Sequence, residues 1–126
     1  MRLNRFVCAS LFLVSISACG PMVDVTDLTT VGAEKIRLAS EIPTYTFQQI
    51  APSNYKVIAP VTAYSCKSNL YDPPASKGNA LLQLQLKALD QKANAIVNVT
   101  FDTRGTDTFG TNCWETVQAS GLAVLY

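Results

Sequence analysis

The chain has 126 residues, 48 % of them hydrophobic, with ten basic residues, nine acidic residues and no histidine. That length holds one small domain and not two. Near-neutral charge without clustered Lys and Arg gives no electrostatic reason for nucleic-acid binding, and the absence of histidine removes the commonest general base and the commonest metal ligand.

Residues 1–18 read as a signal segment. Arg2 and Arg5 form a basic n-region, and residues 6–16 form an apolar h-region of about 11 residues, within the usual range. The run is too short to cross a bilayer, which takes about 20 apolar residues. Its end, Ile16-Ser17-Ala18-Cys19, resembles the lipobox of bacterial lipoproteins: an aliphatic residue, two small ones, then the cysteine that is lipidated and begins the mature chain. The resemblance implies acylation of Cys19 and an anchor that holds stably once two or more chains are attached. Two blander readings are an ordinary cleaved signal peptide and a buried N-terminal helix of a cytosolic protein. The common register of n-region, h-region, small residues and cysteine favours the lipoprotein. Gly20 rather than Asp after the cysteine implies, by the sorting logic of such proteins, the outer membrane with the domain facing the periplasm.

Without Arg2 and Arg5, eight basic residues face nine acidic ones, a formal charge of −1. Of the four cysteines, Cys8 leaves with the signal peptide and Cys19 takes the lipid, so Cys66 and Cys113 remain. In an exported chain two such cysteines most simply form a disulfide, closing a loop worth roughly 4 kcal/mol in the chain-entropy picture. A free thiol pair or two metal ligands are the alternatives. Two thiolates without histidine do not complete a zinc site.

Residues 20–33 (GPMVDVTDLTTVGA) have no clear period and read as a tether, or at most one short strand at 22–25. Residues 35–39 (KIRLA) alternate, which predicts a short first strand. Residues 41–53, with two prolines, read as an irregular connection with room for a brief helix. Residues 55–65 (YKVIAPVTAYS) alternate across Val57, Ala59, Val61 and Ala63, and Pro60 makes this strand an edge or a bulged one. Residues 67–76 are a loop containing Pro73-Pro74.

Residues 77–93 (KGNALLQLQLKALDQKA) predict the one long helix, with Ser76 as its N-cap. Leu82, Leu86, Leu89 and Ala93 stack on one face, widened by Leu81, Leu84 and Ala88. Gln83, Gln85, Lys87, Gln91 and Lys92 are left for water. The leucine stripe reads as core in preference to a membrane-binding or partner helix. Residues 96–102 (IVNVTFD) predict a strand with Val97, Val99 and Phe101 on one face. Residues 103–112 read as a long hairpin loop, and residues 113–126 as a last strand with Gly121 at a bulge or close-packing point. The expected fold is α+β: a small, mostly antiparallel sheet of about four strands, one long helix packed on one face, and a single disulfide. The other sheet face, with Asn98, Thr100, Gln118 and Ser120, is less apolar and is left either to solvent or to a partner.

This pattern, from about Ile36 to the C-terminus, resembles the Rcs stress-sensor lipoproteins of enteric bacteria, the RcsF family. Its carriers are Cys66 at a strand end, Pro73-Pro74, the helix end Lys92-Ala93-Asn94-Ala95, and Cys113 followed by an aromatic residue and a Gly-containing strand. The stretch from Ala93 to Asp102 and the closing Ala119-Ser120-Gly121-Leu122-Ala123-Val124 are also similar to small YbjQ-type domains. Phe101 and Ala119 stand where the sensor has its second disulfide, and the tether lacks the sensor's long basic, proline-rich composition. The resemblance implies signal peptide 1–18, lipidated tether 19–33 and a periplasmic domain 34–126. It also implies envelope-stress signalling through contacts with outer-membrane barrel proteins and an inner-membrane phosphorelay regulator, without catalysis, metal or cofactor.

The alternative is a structural or small-ligand- or metal-binding envelope lipoprotein with a YbjQ-like oligomerising domain. As an enzyme, the chain would draw a carboxylate pair for acid–base work from among Asp102, Asp107 and Glu115, which surround the loop before the last strand. Acidic residues beside a polar hairpin are more often solvated turn formers, and no nucleophile-elbow, P-loop or dinucleotide motif is present.

Overall fold

The computed structural model describes residues 25–104 and 113–126. The signal segment, Cys8, Cys19, residues 19–24 of the tether, Asp107 and the hairpin tip therefore lie outside the described residues. In chain order the elements are helix α1 (Ala33–Ser40), strand β1 (Lys56–Lys67), helix α2 (Lys77–Asp90), strand β2 (Ala95–Arg104) and strand β3 (Glu115–Leu125), with one 3-10 turn at Pro52–Asn54 before β1.

α2 begins as its sequence dictates. The Ser76 hydroxyl accepts a hydrogen bond from the Asn79 N–H at 3.1 Å, satisfying one of the orphan donors of the first turn. It stops three residues earlier than the periodicity predicts. Lys92 takes the left-handed conformation at φ 60°, and the N–H groups of Ala93 and Lys92 donate to the carbonyls of Ala88 and Leu89. This is a Schellman turn with lysine in the place usually held by glycine.

The three strands form an antiparallel sheet in the order β1-β3-β2. The C-terminal strand thus lies in the middle, and β1, which carries Pro60, lies at an edge where a missing N–H costs no ladder bond. Both flanking strands carry one extra residue. In β1 it is Ile58, between Val57 and Ala59. In β2 the shift lies between Val97 and Thr100, where Asn98 has φ 56°.

The second bulge corrects the expected alternation of Val97, Val99 and Phe101. Ile96 and Val99 both face α2 in the main core, whereas Val97 points to the opposite face with Ala95 and Val124. Gly121 belongs to the same packing. A Cβ there would lie 2.8 Å from Ile96 Cγ2 and 3.1 Å from the Val97 carbonyl oxygen, so the glycine is a close-approach point and the β2 bulge lies opposite it.

The main core lies between α2 and the sheet, with Leu84, Ala88, Ile96, Ala63, Ala119 and Ala123 all fully buried. The small residues contributed by the strands let the helix lie close to the sheet. A second, smaller core of Ala95, Val97 and Val124 sits on the other face, covered by Tyr45, Ile50 and Tyr55 from the segment before β1. That segment follows the edge of β2: Tyr45 N–H donates to the Ile96 carbonyl, and Ile96 N–H donates to the Pro43 carbonyl. The opposite face is therefore apolar and covered at one end and polar at the other, where Thr62 and Ser120 hydroxyls lie 3.3 Å apart.

Two further expectations are corrected. Residues 35–39 are helical, so the described residues hold three strands rather than about four, and two helices rather than one. Five residues of alternation are also compatible with a helix, and here strong helix formers decide. Arg37 pairs with Glu34 at 2.7 Å and with Glu41 at 2.5 Å, at i,i+3 and i,i+4. Ala39 turns inward and is fully buried, and Lys35 meets Asp90 of α2 at 2.7 Å.

Because α1 and residues 25–31 lie over α2, its outer face is not left to water. Gln83 and Gln85 are 2 % and 8 % exposed. The Gln83 amide accepts from Thr26 N–H at 3.1 Å and donates to the Thr26 carbonyl at 2.7 Å, while Gln85 donates to the Ile42 carbonyl at 2.9 Å. Each glutamine stands in for a backbone partner.

Candidate functional site

Cys66, the penultimate residue of β1, and Cys113, two residues before β3, are joined as a disulfide with their Cα atoms 5.6 Å apart. Trp114 N–H donates to the Lys67 carbonyl beside it. The bond thus clamps the ends of two neighbouring strands and sets where the chain leaves β1.

What leaves is a tightly hydrogen-bonded loop. One oxygen of the Asp72 carboxylate accepts from Ser68 N–H at 2.9 Å, the Ser68 hydroxyl at 3.0 Å and Asn69 N–H at 3.1 Å. Its other oxygen accepts from the Asn69 amide at 2.9 Å. The Asn69 side-chain oxygen in turn accepts from Tyr71 N–H and Asp72 N–H. The Ser68 backbone N–H foremost, then the Ser68 hydroxyl and the Asn69 N–H and amide, hold the Asp72 carboxyl below its ordinary 3.8, with desolvation working in the opposite direction.

Beyond it Pro73-Pro74 lead to Ala75, whose N–H donates to Glu115, and to Ser76, whose N–H donates to the Ser65 hydroxyl. Every one of these contacts is polar. The large apolar side chains Leu70 and Tyr71 of the loop take no part, being 71 % and 93 % exposed, and Trp114 across the disulfide is 50 % exposed.

The N-terminal segment reaches the same end. Residues 25–29 line one side of an open groove of about 520 Å³, and Cys66, Asp72, Pro73, Pro74, Asn79 and Gln83 line the rest. The Asp27 carboxylate accepts from the N–H and hydroxyl of Thr29, which hold its acidity above the ordinary.

Of the residues singled out from sequence, Cys66 and Cys113 are brought together, and Cys19 lies outside the described residues. Asp102 and Glu115 are kept apart. Asp102 is paired in register with Gln118, three residues along β3 from Glu115, which places the two carboxylates on opposite faces. Among the described residues no cluster of three or more His, Cys, Asp or Glu is placed to hold a metal ion, and no helix is long and apolar enough to cross a membrane. Sequence reading passed over Asn69, Leu70, Tyr71 and Asp72. The available signal was the turn chemistry of Ser68-Asn69 with Asp72 ahead of two prolines.

No family model and no curated protein matches the chain. A solved structure similar to it is that of a protein of unknown function of the DUF74 family from Pediococcus pentosaceus ATCC 25745, at 17 % identity and a TM-score of 0.47, covering 65 % of this chain and 94 % of that one.

Proposed function

We propose that the protein is an outer-membrane lipoprotein, anchored through Cys19, that acts as an envelope-stress sensor. It signals to an inner-membrane phosphorelay regulator through protein–protein contacts and has no catalytic step of its own. The observation that carries this reading is the Cys66–Cys113 disulfide. Such bonds persist in exported, oxidised compartments, where the basic n-region, apolar run and lipobox at residues 2–19 direct the chain. The class of partner, outer-membrane barrels and an inner-membrane regulator, comes from the likeness to the Rcs stress sensors around Cys66, Pro73-Pro74 and Cys113.

The test is genetic. Deleting the gene should abolish induction of an envelope-stress regulon by outer-membrane damage, and the wild-type chain should restore it where Cys19→Ala does not. An unchanged response in the deletion strain refutes the signalling role. Recovery of a barrel protein or a phosphorelay regulator with the mature protein from envelope extracts is the expected biochemical counterpart.

A further inference from the structure

We infer that the disulfide end of the domain, through Leu70, Tyr71 and Trp114, rests in the lipid headgroup layer of the membrane that carries the anchor. The inference builds on the lipidation of Cys19 and goes beyond it: the anchor tethers the domain, and this end gives it an orientation.

The chain path supplies the first argument. Thr26 is pinned to α2 by both of its bonds to Gln83, and residues 25–29 share a groove with Cys66 and Asp72. Thr26 is seven positions after Cys19, a span on the order of 25 Å when fully extended. An acylated Cys19 therefore holds the disulfide end, and not the far end where β3 finishes, close to the headgroups. At so short a reach the effective concentration of lipid surface is high, so a contact too weak to recruit a free domain still orients a tethered one.

The chemistry supplies the second. Tyr and Trp are the residues whose amphipathic rings favour the interfacial layer, and Leu70 adds apolar area beside them. They are exposed by 93 %, 50 % and 71 % on backbone held by a disulfide and by the Asp72–Asn69 hydrogen bonds. The ordering cost of presenting them is thus met before contact. The carboxylates nearby are engaged within the domain, Asp72 by the loop and Glu115 by Ala75 N–H. The part of the contact made by Leu70, Tyr71 and Trp114 is apolar and aromatic, and that part should respond little to salt.

Trp114 is the single tryptophan of the chain and reports on its own surroundings. The acylated full-length mature protein is reconstituted in phosphatidylcholine vesicles, with or without bromine-labelled acyl chains, after mass spectrometry has established acyl mass on Cys19. The expected result is a blue shift of Trp114 emission on reconstitution, loss of intensity with brominated lipid, and reduced quenching by aqueous acrylamide. Leu70→Ser with Tyr71→Ser should reverse all three while leaving the acyl mass and the disulfide intact.

Trp114 emission that stays unshifted, unquenched by lipid and open to acrylamide on an acylated chain overturns the inference and leaves the anchor standing. Protection of Trp114 in whole envelopes but not in protein-free vesicles also overturns it, and assigns this end to a protein partner. Absence of acyl mass on Cys19 in the native molecule defeats the anchor and the orientation together.

Discussion

The two ends of the sheet are closed by different chemistry. At the far end, where β2 begins and β3 finishes, Tyr45, Ile50 and Tyr55 fold over Ala95, Val97 and Val124, and the covering segment borrows backbone bonds from β2. The Asn94 side chain completes that end by exchanging two hydrogen bonds with the backbone of Tyr126. Apolar side chains do the closing there, although Val57, Leu125 and Tyr126 stay 46 %, 46 % and 62 % exposed. At the near end the closure is covalent and polar, through Cys66–Cys113 and the Asp72–Asn69 network. Leu70, Tyr71 and Trp114 there are left in solvent. What singles out the near end as the candidate contact surface is that its exposed Leu70, Tyr71 and Trp114 share an end with the N-terminal residues 25–29, which line a groove with Cys66 and Asp72.

The contrast is tested first by removing the covalent closure. Cys66→Ser with Cys113→Ser opens a link between residues 47 apart in sequence and should cost about 4 kcal/mol in urea unfolding. A loss well under 1 kcal/mol would mean that the polar network alone closes the near end. Next in size is the far end's own material. Val97 is 2 % exposed, and Val97→Ala should cost about 2 kcal/mol through lost burial and the cavity left behind. Leu70→Ala and Tyr71→Ala should each change stability by no more than about 0.5 kcal/mol, as expected of surface positions outside any packing. If truncating Tyr71 proved as costly as truncating Val97, the proposed difference between the ends would be gone.

Two parts of the near end were legible in the sequence: cysteine arithmetic, on the expectation of export, leaves one pair, and Ser76 carries its capping role in its identity. α2 was legible for a similar reason: a leucine period maintained over three turns has one interpretation. The far end was not. Its cover comes from Tyr45, Ile50 and Tyr55 in a stretch without a period, and its register depends on a bulge at Asn98 that inverts the faces of the residues after it. The alternation in residues 35–39 misled because five residues carry too little periodicity to separate strand from helix. Gln83 and Gln85 misled because polarity was read as exposure, whereas an amide satisfied by backbone groups is at home in a buried site.

Gln83 falls between Val97 and the surface positions in expected size, and it joins the N-terminal segment to the domain. Gln83→Ala leaves the half-buried N–H and carbonyl of Thr26 without their partner. It should cost about 1–2 kcal/mol and speed hydrogen exchange at the Thr26 amide. Gln83→Glu should restore the acceptor for Thr26 N–H but not the donor to its carbonyl, and so recover only part of the protection. Equal exchange at Thr26 in all three proteins would show that residues 25–29 are held by something other than this amide, and would lengthen the effective tether used to place the near end at the membrane.

The smallest effect concerns Asp72, and its sign follows from the contacts. The loop bonds favour the carboxylate, so its pKa is lower in the folded chain than the ordinary 3.8. The support it gives is fully present above that ordinary value and is withdrawn as pH falls through the lower, folded value. At neutral pH the loop is therefore fully held, and acidification below about pH 3.8 loosens it. In an NMR titration the amide resonances of Ser68 and Asn69 should move together in that acidic range. Those of Tyr45 and Val99 at the far end, whose bonds involve no carboxylate, should stay in place. Thr29 serves as an internal control, because it follows Asp27, which is lowered by the same kind of bond. Titration of Asp72 at or above 3.8, or a far end that moves with it, would mean that the near loop is not held by its own hydrogen bonds and that the two ends are not closed independently.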